Sequence, residues 1–138
     1  MPETLGPMDV IAAATIVESA LRPVAERDWS VRAGPLEWNV EETITHMLAA
    51  VAKYTIYLAS RSEQFIALAV TRWPDAANAE VVDAVVPVAT GLAAVAAVTP
   101  PADLCRRVLA ERYRGAGGPS VDDPWHGLVA ITGRTPRS

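Results

Sequence analysis

Trp38-Asn-Val-Glu-Glu-Thr-Ile-Thr-His-Met-Leu-Ala-Ala-Val-Ala-Lys-Tyr-Thr-Ile-Tyr-Leu58 reads as one capped helix, and it decides the fold class. The side-chain oxygen of Asn39 can accept a backbone N–H of the first turn. Glu42, three residues on, can reach back and complete a capping-box pair. Ile44, Leu48, Val51, Thr55 and Leu58 then recur every three or four residues, the spacing of a core-facing helical stripe. The helix is predicted from Asn39 to about Arg61. At 100° per residue His46 falls nearly opposite that stripe. It shares a second face with Glu42, Ala50, Lys53 and Tyr57, which is expected to be partly buried.

Working outward, the same periodicity predicts a helix from Met8 to about Asp28. Its stripe is Val10, Ala14, Val17, Leu21 and Val24. Pro23 lies inside it and should kink it or end its regular part, because proline lacks an N–H and crowds the preceding turn. Residues 29–38 form a link broken at Gly34-Pro35. Phe65 to Trp73 either extends the second helix or forms a short separate one, and Pro74-Asp75 breaks it. A third helix is predicted from about Ala76 to Val98. After Asp83 it is apolar all round, the mark of the most buried helix in a bundle. With so few charges a membrane span has to be weighed. Pro87, Gly91 and the alanines favour a packed interior, and no flanking basic residues anchor an interface. No membrane association is expected.

Beyond Thr99-Pro100-Pro101, Leu104, Val108 and Leu109 are spaced for a short helix from Asp103 to Arg114, although a strand fits too. Gly115 to Ser120 reads as a loop, Trp125 to about Ile131 as one last turn or two, and residues 132–138 as an irregular tail. The whole is predicted as an all-α single domain over residues 1–138, structured over 7–131. The bundle is up-down, with three long helices and a short or incomplete fourth.

Composition bounds the function. At 138 residues with 51% apolar side chains, the chain can bury a core without staples. A net charge of −4, with no basic patch interleaved with aromatics, argues against nucleic acid as a partner. The single cysteine, Cys105, excludes an intrachain disulfide and gives no sign of a secreted scaffold. Residues 1–7 have neither a basic region nor an apolar core, so no signal peptide is expected and the location defaults to the cytoplasm.

Trp38, Glu42, Thr43 and His46 match a Trp-x-x-x-(Glu/Asp)-Thr-x-x-His pattern. In this the segment resembles the first metal-ligand helix of the mycothiol-dependent maleylpyruvate isomerase family, within the DinB-like four-helix bundles. The resemblance covers about residues 9–130, with the specific match confined to 36–58. It implies that His46 is a ligand to a divalent metal, zinc by expectation, and that a low-molecular-weight thiol such as mycothiol binds there. The metal would hold the thiol as its thiolate, since coordination depresses a ligand's pKa. The thiolate would attack an electrophilic substrate, giving isomerisation or thiol transfer.

In the family the remaining ligands come from a Glu-x-x-x-His pair on a later helix. After Trp125-His126-Gly-Leu-Val-Ala130 this chain reads Ile-Thr-Gly-Arg-Thr-Pro-Arg-Ser, without that pair. A zinc site needs three or four converging N, O or S ligands. The candidates here are His46, His126 and Glu42, with Asp122 or Asp123 as a further ligand. Against these stand plainer roles: a helix-surface imidazole for His46, an exposed loop imidazole for His126 and a capping carboxylate for Glu42. Cys105 precedes Arg106 and Arg107, which would favour its thiolate, but a lone cysteine also serves as a small buried apolar residue.

Two functions follow from these readings. One is a DinB-like metal-binding protein related to thiol-dependent isomerases and transferases, with a site incomplete or completed by another chain. The other is a non-catalytic helical module that homodimerises, or binds a partner, through a groove the missing helix leaves open.

Overall fold

The structure is a computed structural model that describes residues 6–62 and 64–100. Among the described residues three helices make the fold, α1 Pro7–Leu21, α2 Val40–Ser60 and α3 Asn78–Ala97, with one 3-10 turn, Arg22–Val24, closing α1. There is no strand among the described residues beyond one isolated bridge between Arg32 and Asn39. The all-α expectation is met. The expected segment 103–114, the last turns near 125–131, and Cys105, Asp122, Asp123 and His126 lie outside the described residues.

Each helix start follows from local chemistry. Pro7 suits the first turn of α1, where its missing N–H would have no partner anyway. At α2 the Asn39 side chain accepts the Glu42 N–H at 2.7 Å, and the Glu42 carboxylate accepts the Asn39 N–H at 2.9 Å. The remaining free donors of that first turn are met by the preceding link: Val40 N–H donates to Val31 C=O and Glu41 N–H to Trp29 C=O, both at 3.0 Å. Pro23 acts as expected, since the regular helix ends at Leu21 and the chain tightens into the 3-10 turn. Gly34 turns the link at φ +57°, a left-handed conformation that glycine enters without steric cost. Beside that link, Ser30 donates from both its hydroxyl and its N–H to the Asp28 carboxylate, which holds Asp28 below the usual carboxylate range.

Contacts between the helices fix their directions. Arg22 on the turn after α1 pairs with Asp83 near the start of α3 at 2.6 Å. Ala14, further back in α1, packs with Val85 and Ala89. α1 and α3 are therefore antiparallel. On the other side Val40 and Ile44 pack at Val81 and Val82, whereas Thr55 lies against Gly91, where an added Cβ would sit 4.0 Å from the threonine methyl. α2 and α3 therefore run in the same direction. The up-down alternation holds for α1 against its neighbours, and the α2–α3 pair is parallel.

That parallel pairing explains a correction to the sequence reading. Phe65 to Trp73 neither extends α2 nor forms a short helix; it is irregular, extended chain. Two parallel helices need a connection that returns along the full length of the first. α2 is about 31 Å long at 1.5 Å per residue. Residues 64–73 cover such a distance when extended, at about 3.3 Å each, whereas a helix of that length would cover about 15 Å.

The core is built on α3, which carries the buried Val81, Val82, Val85, Ala89 and Ala93. One cluster joins Val81 and Val82 to Ala25 and Trp29; the other joins Val85 and Ala89 to Ala14. Leu48 of α2 packs against both. The expectation that α3 is the most buried helix is met, but on one side only: Asp83, Pro87, Thr90, Ala94 and Ala97 stay exposed. The second face of α2 divides along its length. Tyr57 is buried, Ala50 and Lys53 are half-buried, and Glu42 and His46 are exposed. The returning connection causes this. Its Ile66 N–H donates to Tyr57 Oη at 2.7 Å, and its Phe65 ring lies 5.1 Å from Lys53 Nζ.

Candidate functional site

Two places carry side chains worth testing. The first is the N-terminal end of α2, where the capping geometry gathers the motif residues. Thr43 Oγ1 donates to Asn39 C=O at 2.8 Å, so the threonine reinforces the helix start. The Trp38 ring meets the His46 ring edge-on, with centroids 4.8 Å apart. His46 is exposed, and one oxygen of Glu42 is already held by the cap. Glu42 and His46 are one turn apart on the same face, but no group of three His, Cys, Asp or Glu side chains comes together among the described residues. His126, the further ligand expected from sequence, lies outside them.

The second place is a cleft of about 470 Å³ between α2, α3 and the returning connection. Its α2 wall is Thr45, Leu48, Ala49 and Ala52, and its α3 wall is Val81, Ala84 and Val88. Small residues on facing helical surfaces leave the space, because alanine fills little of the gap between two backbones. Val70 to Trp73 passes over one end, with Asp75 and Glu80 beside it. Trp73 is 83% exposed at the edge.

Arg72 holds this end of the cleft together. Its guanidinium donates to Asn78 Oδ1 at 2.9 Å and to the Ala76 carbonyl, and lies 3.6 Å from the Glu41 carboxylate. It thereby ties the first turns of α2 and α3 to the connection between them. Its side chain is 15% exposed.

Sequence reading picked out the α2 motif and missed the cleft. Ala49 gives no chemical signal, and neither does Ala84. Arg72 and Trp73 end an apolar run that reads as helix, and local spacing does not show what they meet across the cleft.

The fold and cleft define the chain as an all-helical protein with an apolar cleft. No family model matches it, and neither a curated protein nor a solved structure does.

Proposed function

We propose that this chain is a non-catalytic helical binding module whose working element is the cleft between α2, α3 and the returning connection. The observation that carries this is the cleft itself: about 470 Å³, walled largely by apolar side chains. That volume lies within the range of small-molecule sites, roughly 300–1,000 Å³. Exposed Trp73 at its edge offers a large apolar surface to an occupant. The cleft is also the kind of groove through which a second copy of the chain would pair.

A neutral naphthalene dye whose fluorescence rises in apolar surroundings tests the reading. Wild-type protein is expected to bind it saturably, one per chain. Ala84→Trp, which fills the cleft from the α3 wall, should weaken binding by about tenfold or more, since an indole displaces enough contact area to cost over 1 kcal/mol. Circular dichroism of the variant shows whether it keeps its helices. An affinity unchanged in a folded Ala84→Trp protein would place the dye elsewhere and end the reading.

A second reading rests on the His46 ring, exposed and braced by Trp38. On the resemblance to thiol-dependent isomerases, His46 would be a zinc ligand, with Glu42 and His126 contributing. A metal taking Glu42 would compete with the capping bond, so binding by this chain is expected to be weak and sub-stoichiometric. Calorimetric titration of zinc into wild type and His46→Ala checks it. Tight one-to-one binding that the variant loses would make this the better reading.

A further inference from the structure

We infer that the cleft selects hydrophobic amines, meaning a flat apolar body carrying one ammonium group. The inference rests on the binding-module reading and adds the chemistry of the occupant. Three charged side chains line the cleft: Arg72, Asp75 and Glu80. The one cation is already engaged. Arg72 spends donors on Asn78 and on the Ala76 carbonyl, and Glu41 sits 3.6 Å away to balance its charge. An anionic ligand would have to take this guanidinium from partners that hold the two helix starts together.

The two acids are placed differently. Asp75 and Glu80 are both exposed. Glu80 accepts the Ala77 N–H with one oxygen at 2.7 Å, which leaves the other oxygen outside that bond. The rim is therefore negative once Arg72 is balanced by Glu41. Trp73 adds a π face at the same edge, 83% exposed, and an indole face attracts a cation within about 6 Å. Ala49, Ala52 and Ala84 line the apolar walls with short side chains, which leaves room for a flat ring. Apolar walls, a negative rim and an exposed indole together fit an amine whose ring enters and whose ammonium stays at the edge.

Three probes with one aromatic body separate the possibilities: 2-naphthylmethylamine, 2-naphthylmethanol and 2-naphthylacetate, each titrated into the full chain by calorimetry at low salt. The amine is expected to bind about fivefold tighter than the alcohol, the scale of one exposed charge pair, and the carboxylate weakest of all. The preference for the amine should shrink at 1 M salt, where the screening length falls to about 3 Å. It should also disappear in the double variant Asp75→Asn, Glu80→Gln. Glutamine at position 80 can still cap α3, and circular dichroism of the variant checks that its helices remain. Equal binding of amine and alcohol, or tightest binding of the carboxylate, overturns the amine inference while the binding-module reading stands. Failure of all three probes to bind overturns both.

Discussion

Replacing Trp29 with alanine is expected to destabilise the fold by about 3–5 kcal/mol, the usual cost of truncating a buried aromatic. Trp29 is 4% exposed and forms one cluster with Ala25, Val81 and Val82. Its indole Nε1 also donates to the Val24 carbonyl at 3.0 Å, so the variant loses that bond and the carbonyl keeps only the Arg27 N–H. The backbone is involved as well, since the Trp29 carbonyl accepts the Glu41 N–H at the start of α2. One residue thus packs against α3, closes the turn after α1 and meets the first turn of α2. Against a typical domain stability of roughly 5–15 kcal/mol, the loss removes a large share of the total and, at the low end of that range, leaves a large unfolded fraction at room temperature. Urea denaturation followed by far-ultraviolet circular dichroism measures it. Trp29→Phe should retain most of the packing and lose chiefly the indole bond, at about 1 kcal/mol. A midpoint for Trp29→Ala within error of wild type would mean that the ring is not part of the core.

Arg72→Ala is expected to cost about 2–3 kcal/mol and to loosen the cleft with it. Hydrogen bonds from a charged donor contribute about 1.5–3 kcal/mol. Arg72 makes two, to Asn78 and to the Ala76 carbonyl. Its ion pair with Glu41 adds little, because that carboxylate is about half exposed and solvent screens it. Truncation leaves Asn78 with its other bond, from Nδ2 to the Arg27 carbonyl at 3.1 Å, so the start of α3 stays anchored on the α1 side. The loss falls on the connection and its junction with α3. Amide exchange should therefore quicken in residues 70–77, while α1 keeps its protection. Arg72→Lys should recover only part of the loss, since an ammonium lacks the planar fork that meets two acceptors at once. Uniform loss of protection across all three helices would show that Arg72 supports the whole fold and not this corner alone.

Much of the secondary structure was legible because it depends on near neighbours. The Asn39–Glu42 pair, the Pro23 break and the stripe of α1 all involve residues within a turn or two of one another. Val10, Ala14, Val17 and Leu21 pack where their spacing places them. Where local and distant demands competed, the sequence reading went wrong. Phe65 to Trp73 carries the apolar content of a helix, yet the chain runs extended because it must return beside α2. Tyr57 and His46 share one face in the periodicity, but only Tyr57 is buried, since the return meets that face at the C-terminal end of α2, through Phe65 and Ile66.

The candidate sites divide in the same way. The association of Trp38, Glu42, Thr43 and His46 follows from helix geometry and could be read directly. The two helical walls of the cleft are made by residues some thirty to forty positions apart in the chain, and half of its lining is alanine and valine. Alanine at position 49 or 84 says nothing about what faces it.

The sequence by itself determined the three helices, the Asn39–Glu42 cap and the core-facing stripes of α1 and α2. Those features rest on backbone hydrogen bonds and side-chain contacts three or four residues apart. Only the tertiary structure decided the parallel pairing of α2 with α3, the burial of Trp29, the engagement of Arg72 and the opening of the cleft. Periodicity reports which face of a helix is apolar. It carries no information on the direction of the neighbour packed against that face, nor on how much space two small-residue surfaces leave when they meet.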